Sequence, residues 1–76
     1  MSDLSAQHYL EIYRFRVECA DKGLTHPKPQ VVSAARQLVA KLAEMTPEAK
    51  VRLEIEGSGT VFKNVETGEV IGRFEV

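Results

Sequence analysis

The chain has 76 residues, of which 43% are hydrophobic and 28% charged, and its formal net charge is −1. This composition argues against a disordered chain and matches an ordinary globular domain, while near-neutrality argues against holding nucleic acid by charge alone. The single cysteine, Cys19, excludes an internal disulfide and a thiolate-rich zinc site.

One domain over residues 1–76 is all this length allows. A chain this small buries only roughly 60% of its unfolded surface, so a dimer or a bound partner is an open option. Charge is not segregated: residues 1–38 carry five basic and four acidic groups, residues 39–76 five and seven. No apolar run reaches the ~20 residues a membrane span needs. Met1-Ser2-Asp3 lacks the basic-then-apolar layout of a signal peptide. The expectation is a cytoplasmic protein without membrane contact.

Residues 5–22 read as a helix. Ser5 can cap its start, and Gly23 stands where a left-handed C-terminal cap belongs. At about 100° per residue, Gln7, Glu11, Arg14, Glu18, Asp21 and Lys22 form one polar arc. Glu11–Arg14 and Glu18–Lys22 are favourably spaced on it. Tyr9, Leu10, Ile12, Tyr13, Phe15, Val17, Cys19 and Ala20 fill an apolar arc too wide for one neighbouring layer. Residues 12–19 also satisfy a strand, because Tyr13, Phe15, Val17 and Cys19 alternate with Arg14, Arg16 and Glu18.

Residues 29–45 read as a second helix, with Pro29 in the first turn and Pro47 beyond the end. Val31, Ala34, Ala35, Leu38, Leu42 and Met45 form its core stripe. Thr46-Pro47-Glu48 can add one short turn.

From Lys50 the period changes to two. Val51, Leu53 and Ile55 alternate with charged residues; Gly57-Ser58 fits a two-residue hairpin turn. Thr60–Val65 is the second strand, Glu66-Thr67-Gly68 a three-residue turn with Gly68 at positive φ, and Val70–Val76 the third strand. In this register one face carries Val51, Leu53, Ile55, Thr60, Phe62, Asn64, Val70, Gly72, Phe74 and Val76. The other carries every charged side chain together with Val61, Val65 and Ile71. The expected fold is α+β: two helices on one face of a three-stranded antiparallel meander, in the order α-α-β-β-β.

Catalytic chemistry has little to stand on. His8 and His26 are the only histidines. On a helix His8 and Cys19 lie about 16 Å apart along the axis, too far to share an ion. Glu54 and Glu56 sit in solvated strand positions, and no phosphate-binding glycine loop is present. The expectation is a non-enzyme with no metal and no cofactor.

Two surfaces stand out as interface candidates. On the first helix Ile12, Phe15 and Cys19 can face a partner while Leu10, Tyr13, Val17 and Ala20 face the core. Arg16, inside the apolar arc, either snorkels to water or pairs an acid at the seam. On the outer sheet face the candidates are Val61, Val65 and Ile71. The third strand can also present a free edge.

Asn64-Val65-Glu66-Thr67-Gly68-Glu69-Val70-Ile71, followed by Phe74, resembles the closing hairpin of the FlaG family of flagellar proteins. The resemblance covers the last third of the chain. Asn64 stands where the family has an acid, Gly72-Arg73-Phe74 departs from its ending, and no functional residue is carried over. It implies a flagellar accessory protein.

The expectation that covers most of the chain is a protein-binding or self-associating module, a homodimer for instance, of prokaryotic or phage type. The second is a small nucleic-acid-associated regulator, using Lys22, His26 and Lys28 or a line of Arg52, Lys63 and Arg73 across the sheet.

Overall fold

The computed structural model describes residues 3–75. Its elements run β1 (Asp3–Ser5), α1 (Ala6–Asp21), α2 (Pro29–Glu44), β2 (Lys50–Glu56), β3 (Gly59–Asn64) and β4 (Val70–Glu75). The fold is α+β, with both helices on one face of an antiparallel sheet ordered β1-β2-β3-β4. The expected place of Val76 at the end of the last strand falls outside the described residues.

Residues 12–19 are helical, which removes the strand alternative. The Ser5 side chain accepts a hydrogen bond from His8 N at 3.2 Å and caps α1. At the other end Gly23 takes φ +75. Its N–H donates to Ala20 O, and Leu24 N–H donates to Cys19 O. These two bonds satisfy carbonyls that the helix leaves open, and only glycine enters this geometry without strain. α2 starts at Pro29, as its missing donor favours, and Thr46–Ala49 adds one turn after it.

The sheet has four strands rather than three. β1 is too short to show an alternation of its own. Its identity comes from β2, with Leu4 opposite Val51 and Ser5 opposite Lys50. Because β1 runs directly into α1, it ties the helix start to the sheet. Ala6 N–H and Gln7 N–H complete that tie by donating to Ala49 O and Pro47 O.

The first hairpin has the expected two-residue loop, with positive φ at Gly57 and a Glu56–Gly59 closing pair. The second loop is one residue longer than expected. Asn64 Oδ1 accepts from Glu66 N at 2.9 Å, and Asn64 N donates to Glu69 O. Val65 therefore leaves the strand and lies in the turn, exposed. The extra residue is absorbed at a bulge: Phe62 pairs with Gly72, but Lys63 pairs with Val70. Ile71 is the unpaired residue between them. It joins the core, and Val70 turns to solvent. The two residues thus exchange the faces expected of them, and Ile71 is not on the outer face.

The core lies between the helices and the β3 side of the sheet. Phe62 is its centre, with Tyr9 and Tyr13 edge-on at ring distances of 5.3 and 5.5 Å. Leu38, Leu42, Val51, Ala6 and Ile71 close around it. Leu38 lies directly over Gly72, where a β-carbon would come within 2.7 Å of Leu38 Cδ1.

The outer face carries an ion-pair lattice. Lys63 Nζ lies 3.0 Å from Glu54 Oε1 and 3.3 Å from Glu56 Oε2, and Arg73 reaches Glu56 at 3.7 Å. Val61, opposite Glu54 and Arg73, is on this face as expected but only 1% exposed. Long charged side chains such as those of its cross-strand neighbours Glu54 and Arg73 can cover an apolar residue with their aliphatic stems.

Candidate functional site

A groove of about 570 Å³ opens between the helix pair and the hairpin end of the sheet. Its floor is Leu53, Ile55, Thr60 and Phe74. One wall is the second half of α1, from Tyr13 to Ala20. The other is the start of α2, at Val31, Val32 and Ala35, with Thr25 and Pro27 of the connecting segment at the end.

The groove follows from local sequence. At its start α1 is held to the sheet by β1, and Ala6 and Tyr9 are buried. Gly23 then ends the helix, and the Pro27–Pro29 segment sets the start of α2. Over their Gly23–Pro29 ends the two helices leave the sheet uncovered. Ile55 is 80% exposed and Leu53 37%, although both point to the helix side. On the α1 lip Phe15 is 65% exposed.

Electrostatically the groove is apolar with one cation. Arg16 is the only charged residue among those lining it, and no carboxylate joins them. Its guanidinium carbon lies 5.1 Å from the centre of the Tyr13 ring, a cation–π contact. Arg16 makes no ion pair among the described residues and is exposed, which leaves both of its expected roles open: a head that reaches water, or a partner for an acid at a seam. Burial pushes the Tyr13 hydroxyl above its ordinary pKa, and the Arg16 charge pulls it the other way. Cys19 lines the groove half-buried, and no histidine lines it. The arrangement offers apolar contact and one guanidinium to a carboxylate.

The residues singled out from sequence separate cleanly. Ile12, Phe15, Arg16 and Cys19 share the outward side of α1, with Phe15 and Arg16 exposed and Ile12 and Cys19 half-buried. Val61, Val65 and Ile71 do not form a patch: the first is covered, the second lies in a turn, and the third is in the core. Sequence reasoning missed Leu53, Ile55 and Val31, which it assigned to the core. The available signal was the position of Ile55, two residues from the Gly57 turn, at the rim of any layer that could cover it.

The cations considered for nucleic acid are engaged on the sheet. Arg52 makes a two-pronged contact to Asp3, at 3.0 Å for each nitrogen, and Lys63 and Arg73 belong to the lattice. Lys22, His26 and Lys28 are exposed. No helix among the described residues is long and apolar enough to cross a membrane.

No protein-family model, no curated protein and no solved structure matches this chain.

Proposed function

We propose that this chain is a non-enzymatic, self-associating protein-binding module that acts through the apolar groove and its lips. The observation that carries the reading is the exposure of Ile55 on the floor of the groove and of Phe15 on its α1 lip. With Leu53 and Val31 they leave on the order of 400 Å² of apolar surface around one groove, within the range of the largest apolar patch on a monomer, which is often functional. A twofold interface needs a patch complementary to itself. This one carries both protruding side chains and a recess.

Sedimentation velocity from micromolar to several hundred micromolar tests the reading. Wild type sediments as a concentration-dependent dimer, and Ile55→Ser shifts it toward monomer. A wild-type monomer across the whole range overturns the proposal.

A further inference from the structure

The outward side of α1 has a finer pattern than general hydrophobicity. His8, Ile12, Phe15, Cys19 and Lys22 follow one another at spacings of four, three, four and three. That is the spacing of a coiled-coil seam, with Ile12 and Cys19 at a positions and His8, Phe15 and Lys22 at d; its three central residues are apolar, and Lys22 is the C-cap of α1. The stripe is unpartnered: Phe15 is exposed at its centre, Ile12 and Cys19 are half-buried, and His8 and Lys22 end it in solvent. Tyr9, Leu10 and Tyr13 point the other way, into the chain's own core.

The same frame places Glu11 at g and Arg16 at e. In a parallel two-stranded seam the g residue of one helix meets the e residue of the other five positions further on. Glu11 and Arg16 are five positions apart. Neither has an opposite charge to pair with among the described residues. Glu11 instead accepts a hydrogen bond from Gln7 Nε2 at 3.1 Å, and Arg16 lies over Tyr13. An antiparallel pairing brings like flanks together, Arg16 near Arg16 and Glu11 near Glu11, which is repulsive.

We propose that the occupant of this surface is a second copy of the chain, docked with the two α1 helices parallel about a twofold axis. Ile12, Phe15 and Cys19 then meet their counterparts, and Glu11 of each copy pairs with Arg16 of the other. The inference rests on the self-association reading above and specifies its geometry. The seam spans only two heptads and is short by itself. The groove mouth continues from the Phe15 lip and supplies the further apolar area toward the roughly 800 Å² per partner of a stable interface.

Two measurements on the full chain test the geometry apart from the association. First, a parallel seam brings the two Cys19 residues within disulfide reach. Oxidation with diamide then gives a covalent dimer that reductant reverses, and Cys19→Ser gives none. In an antiparallel pairing centred on Phe15 the two cysteines lie about 12 Å apart along the axis and do not join.

Second, charges are exchanged. Glu11→Arg alone and Arg16→Glu alone each turn two symmetric attractions into repulsions and weaken the dimer about tenfold. Mixing the two variants one to one recreates an attractive pair in each direction and restores association, read by sedimentation. Circular dichroism of each variant confirms that it is folded, as expected of exposed positions. A wild-type dimer that neither cross-links through Cys19 nor shows restoration on mixing overturns the parallel geometry and leaves self-association standing. A monomer throughout overturns both.

Discussion

One strand contains both extremes of this molecule. Val51, Leu53 and Ile55 of β2 all point to the helix side, two residues apart, and their exposures rise from 0% to 37% to 80%. The chemistry of the three is nearly the same, so the gradient comes from what lies above them. Over Val51 the helix layer is tied down, because β1 passes into α1 without a loop and Ala6 and Tyr9 seat on the sheet. Over Ile55 the layer ends in the Gly23–Pro29 segment, and none of the described residues covers the face. Covering an Ile side chain is worth about 1.5–3 kcal/mol. At Ile55 most of that free energy is not realised among the described residues.

The largest break in this comparison comes from its closed end. Phe62→Ala removes the ring on which Tyr9, Tyr13 and Phe74 converge. The expected loss is about 3–5 kcal/mol by urea unfolding, enough to leave a chain this small largely unfolded. Ile55→Ala at the open end changes the stability of the monomer by less than about 1 kcal/mol, because little of its side chain is packed. Equal losses at the two positions would remove the distinction between the ends.

A smaller effect sharpens the closed end. Gly72 has no side chain because Leu38 occupies the space, with its Cδ1, Cβ and Cγ at 2.7, 3.2 and 3.3 Å from a β-carbon built there. Leu38 is fully buried and has nowhere to move. Gly72→Ala is expected to cost about 1–3 kcal/mol by overpacking. Adding Leu38→Ala relieves the clash, so the double variant loses less than the sum of the two single losses. Additive losses would place the cost in the strand backbone instead.

Much of this was legible in the sequence, for local reasons. Ser5, Gly23 and Pro29 punctuate the helices by chemistry that acts within a few residues, and so does Gly57 at the first hairpin. The alternation of Val51, Leu53 and Ile55 fixed their face, though not their burial. Burial depends on how far two helices reach over a sheet, and the alternation itself does not encode that; the nearness of Ile55 to the Gly57 turn was the one local hint. The exchange of Val70 and Ile71 was hidden for a different reason. It follows from the Asn64 side chain closing a four-residue loop, and from the core accepting Ile71 through a bulge that restores register by Gly72. β1 was invisible because three residues carry no period. Arg16 was legible as an anomaly, a cation in an apolar arc. The structure adds that its arc opens on a groove without an acid.

The smallest expected effect concerns the tie at the closed end. Asp3 of β1 and Arg52 of β2 face each other across the first strand pair, and both are solvated, so their link contributes locally. The Arg52 hydrogen bond holds the Asp3 carboxyl below its ordinary pKa, and the charges of Arg52 and Lys50 act in the same direction. A carboxyl depressed in the folded chain stabilises it fully above the unfolded value of about 3.9. That stabilisation is lost as pH falls through the lower folded value. Between pH 8 and 5 the tie is therefore constant, and below about pH 4 it weakens. The readout is hydrogen exchange, corrected for intrinsic rates, at Ala6 and Gln7, whose N–H groups donate to Ala49 O and Pro47 O. Their protection falls below pH 4 while that of Phe62 holds, because the tie opens without unfolding the core. Asp3→Asn lowers Ala6 and Gln7 protection already at pH 7 and removes the acid dependence. If Asp3→Asn instead leaves both amides as protected as in wild type, the main-chain bonds alone hold α1 to the sheet, and the closed end owes nothing to this ion pair.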